Sequence, residues 1–136
     1  TIGFDDETDH VYSLFLIFAP LPGYGDGTGY ELVFRIVEAS LDGSYVESYN
    51  DGSETKGFLS ERRHRDSVVD LLLYLIATHI DELRPPNVQM TTYAENLPEA
   101  ALTKYHKIAS VFRQKGYQSG PADPWCGLWI WMMRLP

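Results

Sequence analysis

One cysteine in 136 residues, Cys126, excludes a disulfide framework and any cysteine-based zinc site. No apolar run approaches the roughly 18 to 20 residues of a membrane span. The sequence opens without the basic-then-apolar pattern of a signal segment. Basic residues are few: eleven Lys and Arg stand against nineteen Asp and Glu, for a formal charge of −8. Phosphate contact needs a basic stripe, so no direct nucleic-acid binding is expected. There is no Gly-x-Ser-x-Gly elbow, no His-Glu-x-x-His and no Walker loop. These absences set the expectation of a soluble, cytoplasmic protein without membrane contact.

What is present suits one folded domain over residues 1–136. The hydrophobic fraction is 44% and the aromatic fraction 13%, enough for a core without a metal or disulfide staple. The charge is unevenly placed. Residues 1–59 hold eleven acidic and two basic residues, Arg35 and Lys56, while residues 60–136 hold eight acidic and nine basic ones. A negative first part favours solubility, and it also suits a basic partner.

Residues 1–10 are polar and acidic and are expected to fray. A dense apolar run predicts a strand over 11–19, buried on both faces. A second strand is expected over 30–37, with Tyr30, Leu32, Phe34 and Ile36 on one face. Asp42-Gly43 signals a hairpin turn into a third strand over 44–49, and Asp51-Gly52 a second turn. The period then changes. Val68, Leu72, Leu75, Ile76, His79 and Leu83 predict a long helix over 60–83, stopped by Pro85-Pro86. A short strand over 88–93 follows. Residues 96–115 form the clearest helix, with Pro98 in its first turn and Gly116 as its C-terminal cap. A last strand over 128–135 is apolar on both faces and belongs inside a sheet. The expected class is α+β, in the order βββ-α-β-α-β. A mainly antiparallel mixed sheet would carry two flanking helices, and the final strand-helix-strand would pair parallel by a crossover.

Several clusters invite a chemical reading. Arg62, Arg63, His64 and Arg65 crowd the start of the long helix. They form either an anion site or a solvated cluster paired with the acidic first third of the chain, or with Glu61 and Asp66. The glycine-rich run 23–29 joins two strands rather than a strand and a helix, so it reads as a hairpin loop, not a nucleotide loop. Asp5, Asp6, Glu7, Asp9 and His10 match no calcium-loop spacing. Cys126 lacks a nearby basic or His partner and is expected to be a buried structural thiol. Trp125, Trp129 and Trp131 suggest core, or an interface if their strand lies at an edge.

Residues 87–118 (NVQMTTYAENLPEAALTKYHKIASVFRQKGYQ) read as strand, helix, then an exit through Phe112, Lys115, Gly116 and Tyr117. With a closing strand through Trp131, Met132, Met133 and Arg134, this order resembles the GNAT-type N-acetyltransferase fold. The resemblance implies acetyl-CoA, its pyrophosphate gripped at the start of the long helix, and a Tyr on the later helix protonating the leaving thiolate. The matching segment 58–66 (FLSERRHRD) has no glycine, leaving Ser60, Arg62, Arg63 and Arg65 as cofactor-binding candidates. The position matching the general acid is Phe112, which has no proton to give, so Tyr105 and Tyr117 are the catalytic candidates. The family's first strand and its two following helices have no counterpart. The expected function is therefore a non-catalytic protein-interaction module on a GNAT-like scaffold. It would bind a basic protein through its acidic first part, without a cofactor and without a metal. The alternative is a divergent acyl-CoA-dependent N-acyltransferase. A homodimer through the last strand stays open.

Overall fold

A computed structural model describes residues 1–22, 29–50, 55, 57–93, 99–120 and 123–136. Residues 23–28 of the glycine run, the Asp51-Gly52 turn, and Asn96 and Pro98 lie outside the described residues. Strands β1 (Gly3–Asp5), β2 (His10–Pro20), β3 (Gly29–Ser40) and β4 (Val46–Tyr49) precede helix α1 (Arg62–Leu83). Strand β5 (Asn87–Tyr93), helix α2 (Glu99–Gln114) and strands β6 (Gln118–Ser119), β7 (Asp123–Trp125) and β8 (Leu128–Arg134) follow. The class is α+β. One mixed sheet runs β1-β2-β3-β5-β8-β6, with β4 added to β3 and β7 to β8. Among the described residues no helix is long and apolar enough to cross a membrane.

The chain divides into two compact units. The first is Thr1–Leu16 with Phe34–Leu72, and the second is Ile17–Val33 with Leu73–Pro136. The first holds twelve acidic and five basic residues, so most of the net charge falls on it. The opening segment, expected to fray, instead carries β1, which pairs antiparallel with β2 (Gly3↔Tyr12, Asp5↔His10). Polarity alone argued for fraying, and the backbone ladder overrides it. The β3–β4 hairpin turns at Gly43, whose φ is 75°. Asp42 Oδ1 holds that turn by accepting from the Ser44 amide at 3.0 Å and the Ser40 hydroxyl at 2.7 Å.

In the second unit β3 and β5 pair parallel, Gly29↔Asn87 to Glu31↔Gln89, with α1 in the connection between them. The expected parallel pairing of the last two long strands does not occur: β5 and β8 are antiparallel along seven residue pairs. The reason is the hairpin between β7 and β8, which reverses the chain just before β8. Its two turn residues, Cys126 (φ 49°) and Gly127 (φ 78°), are both left-handed, as a two-residue hairpin needs. Cys126 is thus exposed at a turn tip, not buried as its aromatic neighbours suggested.

The core of the second unit follows the helical spacing. Ile76 and Ile80 of α1, and Tyr105, Ile108, Ala109 and Phe112 of α2, are buried with Val88, Met90, Trp131 and Met133. β8 has a sheet neighbour on each edge, which agrees with its two apolar faces and leaves it no free edge. Trp125, in contrast, is exposed. β2 is not buried on both faces, because Phe15 and Ile17 are exposed on its odd-numbered side. Helix α2 ends as its sequence predicts. The Tyr117 amide bonds Phe112 O and the Gly116 amide bonds Arg113 O, both at 3.0 Å, and Gly116 takes φ 91°.

Candidate functional site

Among the described residues, the richest side-chain chemistry lies in the first unit, around a carboxylate. Glu38 falls on the same face of β3 as Leu32 and Ile36 and is buried with them. A buried carboxylate needs donors, and β2 and β4 supply them. His10 Nδ1 lies 2.5 Å from Glu38 Oε2, and the Tyr49 hydroxyl donates to Oε1 at 2.8 Å. The Tyr12 hydroxyl also donates to Glu38. Tyr45 stacks on the His10 ring at 4.8 Å. Burial pushes the Glu38 carboxyl up, but the hydrogen bonds from His10, Tyr49 and Tyr12 outweigh it, and the net shift is downward. The charge acts back on the phenols. Burial first, then Glu38, pushes Tyr12 up to about 12. Tyr49 is raised chiefly by its hydrogen bond to Glu38. Both phenols therefore stay protonated donors at neutral pH.

Tyr12 links this cluster to an open cleft of about 750 Å³. Residues 1–6 of and around β1 form one wall, and residues 57–59 and Tyr12 also line the cleft. His64, Ser67, Val68 and Leu71 of α1 form the other wall. Their i, i+3, i+4, i+7 spacing is one helix face. Phe58 packs against Tyr12 at 4.7 Å and Tyr49 at 4.9 Å, joining the cleft lining to the Glu38 cluster. The lining is amphipathic. Ile2, Phe4, Phe58, Leu59, Val68 and Leu71 are apolar, while Asp5, Asp6 and His64 are polar. Among the described residues no group of three His, Cys, Asp or Glu is placed to hold a metal ion.

The arginine cluster is engaged locally. Arg63 Nε lies 2.7 Å from Glu61, and Arg62 Nε lies 3.9 Å from Asp66. Arg65 donates to the carbonyls of Leu59 (2.9 Å) and Ser60 (2.7 Å), fixing the approach to α1. Of this set only His64 lines the cleft. Ser60 is exposed.

The two tyrosines lie in the second unit and are both buried. Tyr105 stacks on Trp131, with centroids 5.0 Å apart and planes 12° apart. The Tyr117 hydroxyl donates to Pro85 O at 2.6 Å, and burial raises its pKa. Arg84 lies over the Tyr117 ring at 5.3 Å and donates to Lys115 O at 2.6 Å, while Lys115 pairs with Asp81. This set ties the end of α2 to the end of α1. It commits the Tyr117 proton to a main-chain carbonyl.

The Glu38 cluster was not foreseen. One signal pointed to it: Glu38 continues the even-numbered apolar face of Leu32, Phe34 and Ile36, and a carboxylate there demands partners. Its donors come from positions 10, 12 and 49, which no local spacing connects. Comparison of the chain with protein-family models, with curated proteins and with solved structures finds no match.

Proposed function

We propose that the protein is a non-catalytic interaction module that binds a basic protein through its acidic first unit. The observation that carries this reading is the open cleft, whose lining joins Asp5 and Asp6 to exposed Phe4 and Leu71. An apolar lining that also carries two carboxylates suits a cationic, partly apolar surface. The hydroxyls of Tyr49 and Tyr117 are already committed, one to Glu38 and the other to the Pro85 carbonyl. The test is affinity capture on immobilised full chain beside an Asp5→Asn/Asp6→Asn/Glu7→Gln/Asp9→Asn variant. A basic protein held by the wild type and released by the variant supports the reading. Equal retention on both overturns it.

We further propose that the scaffold is GNAT-like. A meander of strands, a long helix and then a parallel pairing of β3 with β5 support this. The acyltransferase alternative draws on the same parallel pairing of β3 with β5. Against it stand the lack of glycine in residues 58–66 and the commitment of Tyr117. A thermal shift with acetyl-CoA separates the readings. A dose-dependent rise in melting temperature, lost in Arg62→Ala/Arg63→Ala, selects the acyltransferase, and no shift at millimolar cofactor rejects it.

A further inference from the structure

We propose that the cleft of the first unit is a strand-addition site, in which an extended segment of the partner lies along the outer edge of β1. The segment alternates basic and apolar residues. This rests on the reading of the module as a binder of basic proteins, and names the part of the partner that it takes.

The lining itself argues for an extended peptide. Side chains of a strand alternate between faces, so a cleft on one face meets every second residue. This cleft is lined by residues 1–6 in unbroken succession, with Tyr12 of β2 beside them, so it meets the backbone of β1 and not one face alone. β1 is the first strand of the sheet, paired with β2 on one side and with no strand on the other among the described residues. Such an edge offers backbone donors and acceptors to an incoming strand. The edge is short, three residues ending in the charged Asp5, and carries neither lysine nor proline.

The walls define what that strand must carry. Val68 and Leu71 of α1 and exposed Phe4 of β1 offer apolar surface to alternate side chains. Asp5 and Asp6 line the same cleft and select for Lys or Arg between them. Alternation matches the period of a strand, so one peptide satisfies both requirements in one register.

The probe is a fluorescein-labelled octapeptide of alternating lysine and valine, titrated into the full chain and read by fluorescence anisotropy. Saturable binding that weakens with salt is expected. Methylating the backbone nitrogens of alternate residues removes the donors a new strand needs, and should weaken binding about tenfold or more. Ser67→Trp, which fills the helix wall, should do the same while leaving the circular dichroism spectrum unchanged. Asp5→Asn/Asp6→Asn should flatten the salt dependence. Equal binding of the methylated octapeptide overturns strand addition, as does no binding of the parent peptide. A concentration-dependent dimer abolished by Ser67→Trp would give the edge to a second copy and overturn the partner assignment. If the octapeptide fails while the capture experiment still separates wild type from the four-site variant, this inference falls and the interaction reading stands.

Discussion

The Tyr49 hydroxyl donates to Glu38 Oε1 at 2.8 Å across the β3–β4 hairpin, while His10 holds the other carboxylate oxygen. One buried carboxylate thus joins three strands of the first unit. Glu38→Ala strands the donors of Tyr49, Tyr12 and His10 and should cost about 2 to 4 kcal/mol. Glu38→Gln keeps an acceptor and should cost about 1 kcal/mol. Urea unfolding of the full chain checks both, and equal midpoints for Ala and Gln would contradict the donor argument.

The same carboxylate makes stability depend on pH. Its folded pKa lies below the ordinary 4.5 of a glutamate, so the unfolded chain binds its proton more readily. The stabilisation is full above that ordinary value and is lost as pH falls through the lower folded value. Asp42, pushed down to about 2 chiefly by the Ser44 amide, contributes in the same direction. Wild type should therefore lose stability on going from about pH 6 to about pH 3 more steeply than Glu38→Gln, which retains the Asp42 part. Denaturant midpoints across that range read the difference.

Tyr117→Phe removes a buried hydroxyl that donates to Pro85 O at 2.6 Å. The carbonyl then loses its partner, at a cost of about 1 to 2 kcal/mol. The expected result is a lower melting temperature with capture of the basic partner unchanged. The site of that capture is assigned to the first unit, and Tyr117 belongs to the second.

Cys126 sits at φ 49° in the β7–β8 turn, where asparagine before glycine is preferred. Cys126→Asn should stabilise by a few tenths of a kcal/mol. The exposed thiol should react with a disulfide reagent in the native state about as fast as in denaturant. Protection of the native thiol would contradict the exposed turn.

The two helices were legible because their signals are local. Spacing of three and four residues brings Ile76 to Ile80, and Ile108 to Phe112, on any backbone that is helical. Gly116 marked an end that only a left-handed residue can make. The strands were legible as strands, but their partners were not. A strand reads the same whether its neighbour runs parallel or antiparallel. The direction of β8 turned on a two-residue hairpin at Cys126-Gly127, whose cysteine is an unusual turn residue. β1 was missed because three residues give too short a period to see.

The sequence by itself determined the acidic first part, the class of fold and the helix faces, since each depends on composition or on neighbours within a few positions. Tertiary structure alone decided the rest. It brought His10, Tyr12 and Tyr49 around Glu38, set residues 1–6 opposite His64 to Leu71 as the walls of a cleft, and turned Tyr117 onto a carbonyl. Those groups meet because burying the apolar faces fixes which backbones lie side by side, and a buried polar group then takes whichever partners that packing places within reach.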